Sequence, residues 1–158
     1  MMFTSYTVSL FGNRRITNAC RADRRLEQVL SSVIASHEHT TVLIGRNGDF
    51  DLLASTVIRR LQTRMGKERC SHVLVLPYPT KELRENESAY AAYYDEIQID
   101  ADAAASHFKA AISVRNRNMV MQSDLVLVWE EVSGGGTGAA RQFALSQDIP
   151  TLNLAEYP

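Results

Sequence analysis

Short apolar runs alternate with helix-period segments from one end of the sequence to the other, and this alternation most restricts the fold. Tyr6–Phe11, Thr40–Ile44, His72–Leu76 and Asp124–Trp129 read as strands, with a shorter one at Glu96–Ile99 and a last one at Thr151–Leu154. The longer runs are almost continuously apolar, as expected of strands covered on both faces. Between the first two, a segment from about Asn18 to His37 places Leu26, Val29, Leu30, Val33 and Ile34 on one helical face. A second helix starts near Asp49 or Asp51, either able to cap it, and runs to about Lys67 with Leu53, Val57, Leu61 and Met65 as its buried stripe. A third covers Ala103 to about Gln122 and a last one Gly138 to Gln147. Strand–helix alternation of this kind favours right-handed crossovers. The expected fold class is α/β: a Rossmann-like, three-layer α/β/α arrangement around an open, mostly parallel sheet.

The chain has 158 residues, the length of one domain, and shows no repeat or linker, so 1–158 is read as a single unit. A hydrophobic share of 45% and a charged share of 22% are those of a globular protein. The formal net charge of −1 argues against a general nucleic-acid or membrane-surface binder, so neither partner is expected. Cys20 and Cys70 lack CxxC spacing and read as reduced thiols. The N-terminal residues are not expected to act as a signal peptide, and no apolar stretch approaches the roughly 20 residues that span a bilayer. Cytoplasm is the expected location. His37, His39, His72 and His107 form no HxxxH or HExxH array, and neither a metal nor a cofactor is expected.

The residues that follow the strands carry the functional signal. After the first come Gly12, Asn13, Arg14 and Arg15; after the second, Gly45, Arg46, Asn47, Gly48, Asp49, Phe50 and Asp51. Pro77-Tyr78-Pro79 follows the third, and Glu130-Glu131-Val132-Ser133-Gly134-Gly135-Gly136-Thr137-Gly138 the fifth. In an open parallel sheet these loops emerge on one edge, where ligands bind at the topological switch point. Glycines allow backbone N–H groups to approach a ligand, and the helix that follows adds roughly half a positive charge. Thr137 can add a hydroxyl. An anionic, nucleotide-sized ligand fits this chemistry. There is no GxxxxGK[ST] motif, and Gly134-x-Gly136-x-x-Ala139 lies too late in the chain for a dinucleotide-binding half to follow it.

The third helix contains Arg115-Asn116-Arg117-Asn118-Met119. Two asparagines between arginines are locally at odds with a helix, and such conflicts mark functional positions. Helical spacing sends one arginine to the site and the other to solvent. The tyrosines Tyr90, Tyr93 and Tyr94, on a long polar connection from Tyr78 to Asp95, read as packing residues that can also line a pocket mouth.

The ordered segments VLIGRNGDFDLLA, LVLPY, VRNRNMVMQSDLVLVW and GGGTGAARQFAL resemble the SLOG superfamily, and within it the small bacterial and phage proteins of the YpsA, or DUF1273, type. The resemblance runs from Phe11 to Leu154. It implies a Rossmann-like fold, a site for a phosphoribosyl-containing ligand, and a homodimer or higher homo-oligomer. The superfamily also holds LOG phosphoribohydrolases and the DNA-processing protein DprA. The LOG signature PGGxGTxxE has glutamate three residues after its threonine, whereas this chain has Ala140, followed by Arg141; Glu130 and Glu131 are the nearby substitutes. Where relatives have Gly-His-Arg after the first strand, this chain has Asn13 in place of histidine.

The expected function is binding or sensing of a nucleotide-derived, phosphoribosyl or ADP-ribose-like ligand by Gly12, Asn13, Arg14, Gly45, Arg46, Asn47, Gly48, Asp51, Pro77, Arg115, Asn116, Gly134, Gly135, Gly136 and Thr137. The alternative is a nucleoside-monophosphate phosphoribohydrolase, or N-glycosidase, with Arg115, Arg117 and Glu131 as catalytic candidates. DprA-like binding of single-stranded DNA ranks last, on the net charge.

Overall fold

The computed structural model describes residues 3–156. Six strands, β1 (Phe3–Gly12), β2 (His37–Ile44), β3 (Cys70–Leu76), β4 (Glu96–Ile99), β5 (Leu125–Trp129) and β6 (Thr151–Asn153), form one sheet in the order β4-β3-β2-β1-β5-β6. Every pairing is parallel. The first four strands step outward in one direction from β1, and the last two lie on its other side. Strand order therefore reverses between β1 and β5, where Gly12 stands opposite Trp129 at the carboxyl edge.

Side chains alternate between two buried layers, as the pleat requires. Leu127 and Trp129 of β5 face one layer, and Val126 and Val128 the other. The first layer packs under α1 (Ala19–Ala35) and α2 (Asp49–Met65). In α1, Ala22, Leu26, Leu30 and Ile34 recur every four residues and are buried, each larger one worth roughly 1.5–3 kcal/mol. The Asn18 side chain caps this helix by accepting from the Arg21 N–H at 3.0 Å. The second layer lies under α6 (Phe108–Met121) and α7 (Gly135–Ser146), through Met119, Val120, Ala140 and Ala144. The sheet is thus covered on both faces, in the three-layer α/β/α arrangement that the apolar strands imply.

Local chemistry moves several expected boundaries. The strand β2 begins at His37, where a helix was expected still to run. Asp49 and Asp51 lie inside α2, whose N-cap is Gly48 without a side-chain bond; both carboxylates instead sit in its positive first turn. The segment read as one helix from Ala103 is two, α5 (Ala101–Ala105) and α6. Ser106 Oγ donates to the Ala103 carbonyl at 2.7 Å, and His107 Nδ1 accepts from the Lys109 N–H at 3.2 Å. These side chains take over backbone groups that a continuous helix would use. The long connection holds two short helices, α3 (Lys81–Glu85) and α4 (Glu87–Tyr93), and buries Tyr90 and Tyr94 in the first layer. Among the described residues, no helix is long and apolar enough to cross a membrane.

Candidate functional site

A cleft of about 120 Å³ opens at the carboxyl edge over the switch point. Its walls come from four elements: Gly12 and Arg14 after β1, Gly45 and Asn47 after β2 with Asp51 of α2, Arg115 and Asn116 of α6, and Gly136 and Thr137 of α7. Backbone contacts fix the first two loops against each other: the Asp49 N–H donates to the Arg14 carbonyl at 2.7 Å. The Asn13 N–H donates to the Trp129 carbonyl at 3.0 Å, tying the β1 loop to β5.

Arg115 dominates the cleft. It is 3% exposed, and Nη1 donates to the Val75 carbonyl at 3.1 Å. Nε and Nη2 both donate to Asn116 Oδ1, at 3.1 and 2.8 Å. A guanidinium has five N–H donors, so these three bonds leave donors over for a ligand. Burial lowers the pKa of Arg115, while the charges of Asp51 and Asp100 oppose the shift. Gly45 passes so close that a side chain there would put Cβ 2.8 Å from Arg115 Nη1. A side chain at this position would crowd the Arg115 guanidinium.

Asp51 is buried too, and one of its oxygens accepts from the Asn47 N–H at 2.8 Å. Burial raises its pKa; the Asn47 N–H and the Arg115 charge pull it back. The cleft therefore pairs a fixed cation with a carboxyl group, a combination suited to a ligand that carries both an anionic group and hydroxyl donors. Thr137, buried in the first turn of α7, has no side-chain hydrogen bond among the described residues, so its hydroxyl is available. Gly134 and Gly135 adopt φ of +94° and +64°, the left-handed region that lets the loop turn into α7.

Other expected site residues lie elsewhere. Asn13 is a strap: Oδ1 accepts from the N–H groups of Glu131 and Val132 at 2.7 and 3.1 Å. Arg46 turns away from the cleft toward Glu82 and Tyr94 Oη, with its guanidinium over the Tyr90 ring. Gly48 packs against the Arg14 backbone, Pro77 is buried at the end of β3, and Gly134 and Gly135 shape the turn without lining the cleft. Arg117 is exposed, over the ring of Phe143. Glu131 accepts from both the N–H and the hydroxyl of Thr17 at 2.7 Å, and Glu130 pairs with Arg141 at 2.9 Å. Sequence reasoning missed Ile112, which lines the cleft one turn before Arg115; the i,i+3 spacing on α6 carried the signal.

No protein-family model matches this sequence, and no curated protein does. Among solved structures, the chain is similar to DNA processing protein A from Helicobacter pylori, described for its single-stranded DNA binding mode. The TM-score is 0.63 at 14% identity, over 94% of this chain and 64% of that one. It is also similar to DNA processing protein A (DprA) from Streptococcus pneumoniae, with a TM-score of 0.62 at 12% identity, over 94% of this chain and 49% of that one. The chain shares the Rossmann-like α/β fold of these proteins. This corrects the expectation against a nucleic-acid partner, since the H. pylori protein of this fold is described for its binding of single-stranded DNA. The net charge is a sum and does not describe how charge is distributed over the surface. Several carboxylates are spent on cations far from the cleft, as where Asp23 and Glu27 pair with Arg60 on α1 and α2.

Proposed function

We propose that this chain binds a nucleotide, with its phosphate in the cleft against Arg115 and the first turn of α7. The observation that carries this reading is a guanidinium 3% exposed, with N–H donors left over, facing a cavity at the sheet's switch point. An arginine buried without a hydrogen-bonded carboxylate is costly, and an anionic ligand offsets that cost. Asp51, in the same cleft, suits the hydroxyl groups of a ribose, so phosphoribosyl and ADP-ribose-like compounds are the ligand class. Thermal shift and calorimetry with a panel of nucleoside mono- and diphosphates and ADP-ribose test the reading. A ligand at 100 times its Kd stabilises the fold by about 2.7 kcal/mol. No shift with any member of the panel overturns it.

A second reading, single-stranded DNA, is favoured by two observations: the fold likeness to the H. pylori protein, and the exposed Arg14 that lines the cleft. A single strand can present a phosphate to Arg115 as a free nucleotide does. Salt-sensitive retention of a labelled oligonucleotide is its test. The N-glycosidase reading needs an acid at the sugar. With Ala140 in the glutamate position and both Glu130 and Glu131 bonded elsewhere, Asp51 is the one carboxyl group lining the cleft. Release of free base from nucleoside monophosphates, lost in Asp51→Asn, would support that reaction.

A further inference from the structure

The cleft does not end at α7. A groove of about 250 Å³ continues from it between α6 and α7, sharing Ile112, Asn116 and Gly136 with the cleft. Along α6 the groove is bordered by Lys109, Ser113 and Arg117, which recur every four residues and so form one stripe of the helix. The facing wall, Ala139 and Ala140, is small and leaves the channel open. All three stripe side chains are exposed.

The charge along this groove has one sign. No carboxylate lines it, and neither Lys109 nor Arg117 has an ion-pair partner among the described residues. The nearby acids are engaged elsewhere: Asp100 and Asp102 accept from Asn118 Nδ2 at 3.0 Å, and Glu130 pairs with Arg141. Phe143 supports Arg117, whose guanidinium carbon lies 5.4 Å from the ring centroid. Arg60, by contrast, is neutralised by Asp23 and Glu27. This groove is left positive.

We propose that the α6–α7 groove is the track of a single-stranded oligonucleotide, in which Lys109 and Arg117 hold successive phosphates beyond the one in the cleft. The proposal rests on the reading that the cleft takes a nucleotide phosphate. Its basis is charge complementarity and spacing. Eight residues separate the two cations, about 12 Å along the helix axis. One phosphate or a pyrophosphate does not span both, whereas the repeating phosphates of a strand do. Continuity with the cleft supplies the register: the nucleotide at Arg115 anchors the strand and the groove carries its neighbours.

The test compares wild type with the double variant Lys109→Ala/Arg117→Ala. Three probes are used: the 5′-mononucleotides, ADP-ribose, and a fluorescent thymidine octanucleotide read by anisotropy across a salt series. Both replaced side chains are exposed, so Tm should be unchanged and the affinities comparable. The octanucleotide is expected to lose about tenfold in affinity in the variant. Its log–log salt slope should fall in magnitude by about 1.4, the equivalent of two single-strand phosphates. Mononucleotide affinity is expected to stay within about twofold. An unchanged octanucleotide affinity, or an equal loss for all probes, overturns the proposal. A loss for ADP-ribose as large as for the octanucleotide assigns the groove to a small diphosphate and overturns the strand. If wild type binds mononucleotides but binds the octanucleotide no tighter, only this proposal fails. If it binds no probe at all, the nucleotide reading fails with it.

Discussion

Two of the buried polar clusters in this fold are built in opposite ways. On β3, beside the edge strand β4, His72 is 0% exposed and its Nε2 lies 2.9 Å from Ser55 Oγ. Around it, Asp95 accepts from the His72 N–H at 2.7 Å and from Gln62 at 2.6 Å, and Gln62 also donates to the Cys70 carbonyl. The buried members pair with one another, and Asp95 also meets the exposed Lys67 at 3.3 Å. At the carboxyl edge, Arg115, Asp51 and Thr137 are also buried, but each has bonding capacity left over and faces the same open cleft. Burial of polar atoms is costly in both places. In the first the protein meets the cost by internal pairing; in the second it leaves the pairing to a ligand. Satisfaction, and not burial, separates a structural polar cluster from a binding site.

The largest effect is expected at Arg115. Truncation to alanine would leave the Val75 carbonyl and Asn116 Oδ1 without their donor and remove the charge that holds down the Asp51 pKa. Arg115→Ala is expected to cost about 3–4 kcal/mol of ligand binding, or roughly 10²–10³-fold in Kd by calorimetry. Arg115→Lys keeps the charge but loses the planar fork, so its loss should be intermediate. A variant that binds nucleotide as wild type does would remove the distinction between the two clusters.

The closed cluster should announce itself through pH instead. Burial pushes the His72 pKa down to about 4, from an ordinary 6.5. Above pH 6.5 the ring is neutral in both folded and unfolded chains. Between 6.5 and about 4 the unfolded chain takes up the proton first, so stability falls as pH falls, by about 3 kcal/mol in all. Asp95, whose pKa is lowered through its bonds to the His72 N–H, Gln62 and Lys67, acts in the same direction at lower pH. Urea denaturation from pH 7.5 to 4 checks this, and His72→Gln should flatten the curve over that interval. Ligand affinity for the folded protein should not follow the same profile.

Sequence reading recovered the fold because strand and helix periods are local properties. Parallel pairing and the edge from which the loops emerge follow from their alternation, whereas the strand order β4-β3-β2-β1-β5-β6 does not. The cleft was legible where chemistry conflicted with local structure: Arg115 and Asn116 are poor company in a helix, and both line it. It was illegible where neighbours in sequence part in space. Gly45 and Asn47 face the cleft, while Arg46 between them reaches Glu82 and Tyr94 on the other side of the loop. Asn13 fell on the right loop, but its partners are backbone groups 118 and 119 residues away, which no local pattern encodes. The same holds for charge: a total of −1 cannot show that the carboxylates pair with one set of cations and leave Lys109 and Arg117 to the groove.

The glycine loop offers a smaller test within the open site. Gly134 and Gly135 have positive φ and nothing within 4 Å of an added Cβ, so alanine there meets strain without collision. Gly135→Ala is expected to cost about 1–2 kcal/mol in stability by thermal unfolding. Gly136, whose nearest atom is Asn116 Nδ2 at 4.0 Å, should accept alanine with little loss of stability. Equal costs at the two positions would show that the loop is held by something other than its backbone angles.

The smallest effect separates the two clusters most cleanly. Thr137→Val keeps the shape and removes a hydroxyl that bonds to nothing among the described residues. Thermal unfolding of the free protein should therefore be unchanged, because the hydroxyl has no hydrogen bond within the fold to lose. Ligand binding should weaken by about 1 kcal/mol, roughly fivefold, the ordinary worth of one neutral hydrogen bond. Ser55→Ala in the closed cluster should do the reverse, lowering stability through His72 Nε2 while leaving affinity alone. If Thr137→Val destabilised the free protein as Ser55→Ala does, its hydroxyl would belong to the fold, and the open site would shrink to Arg115 and Asp51.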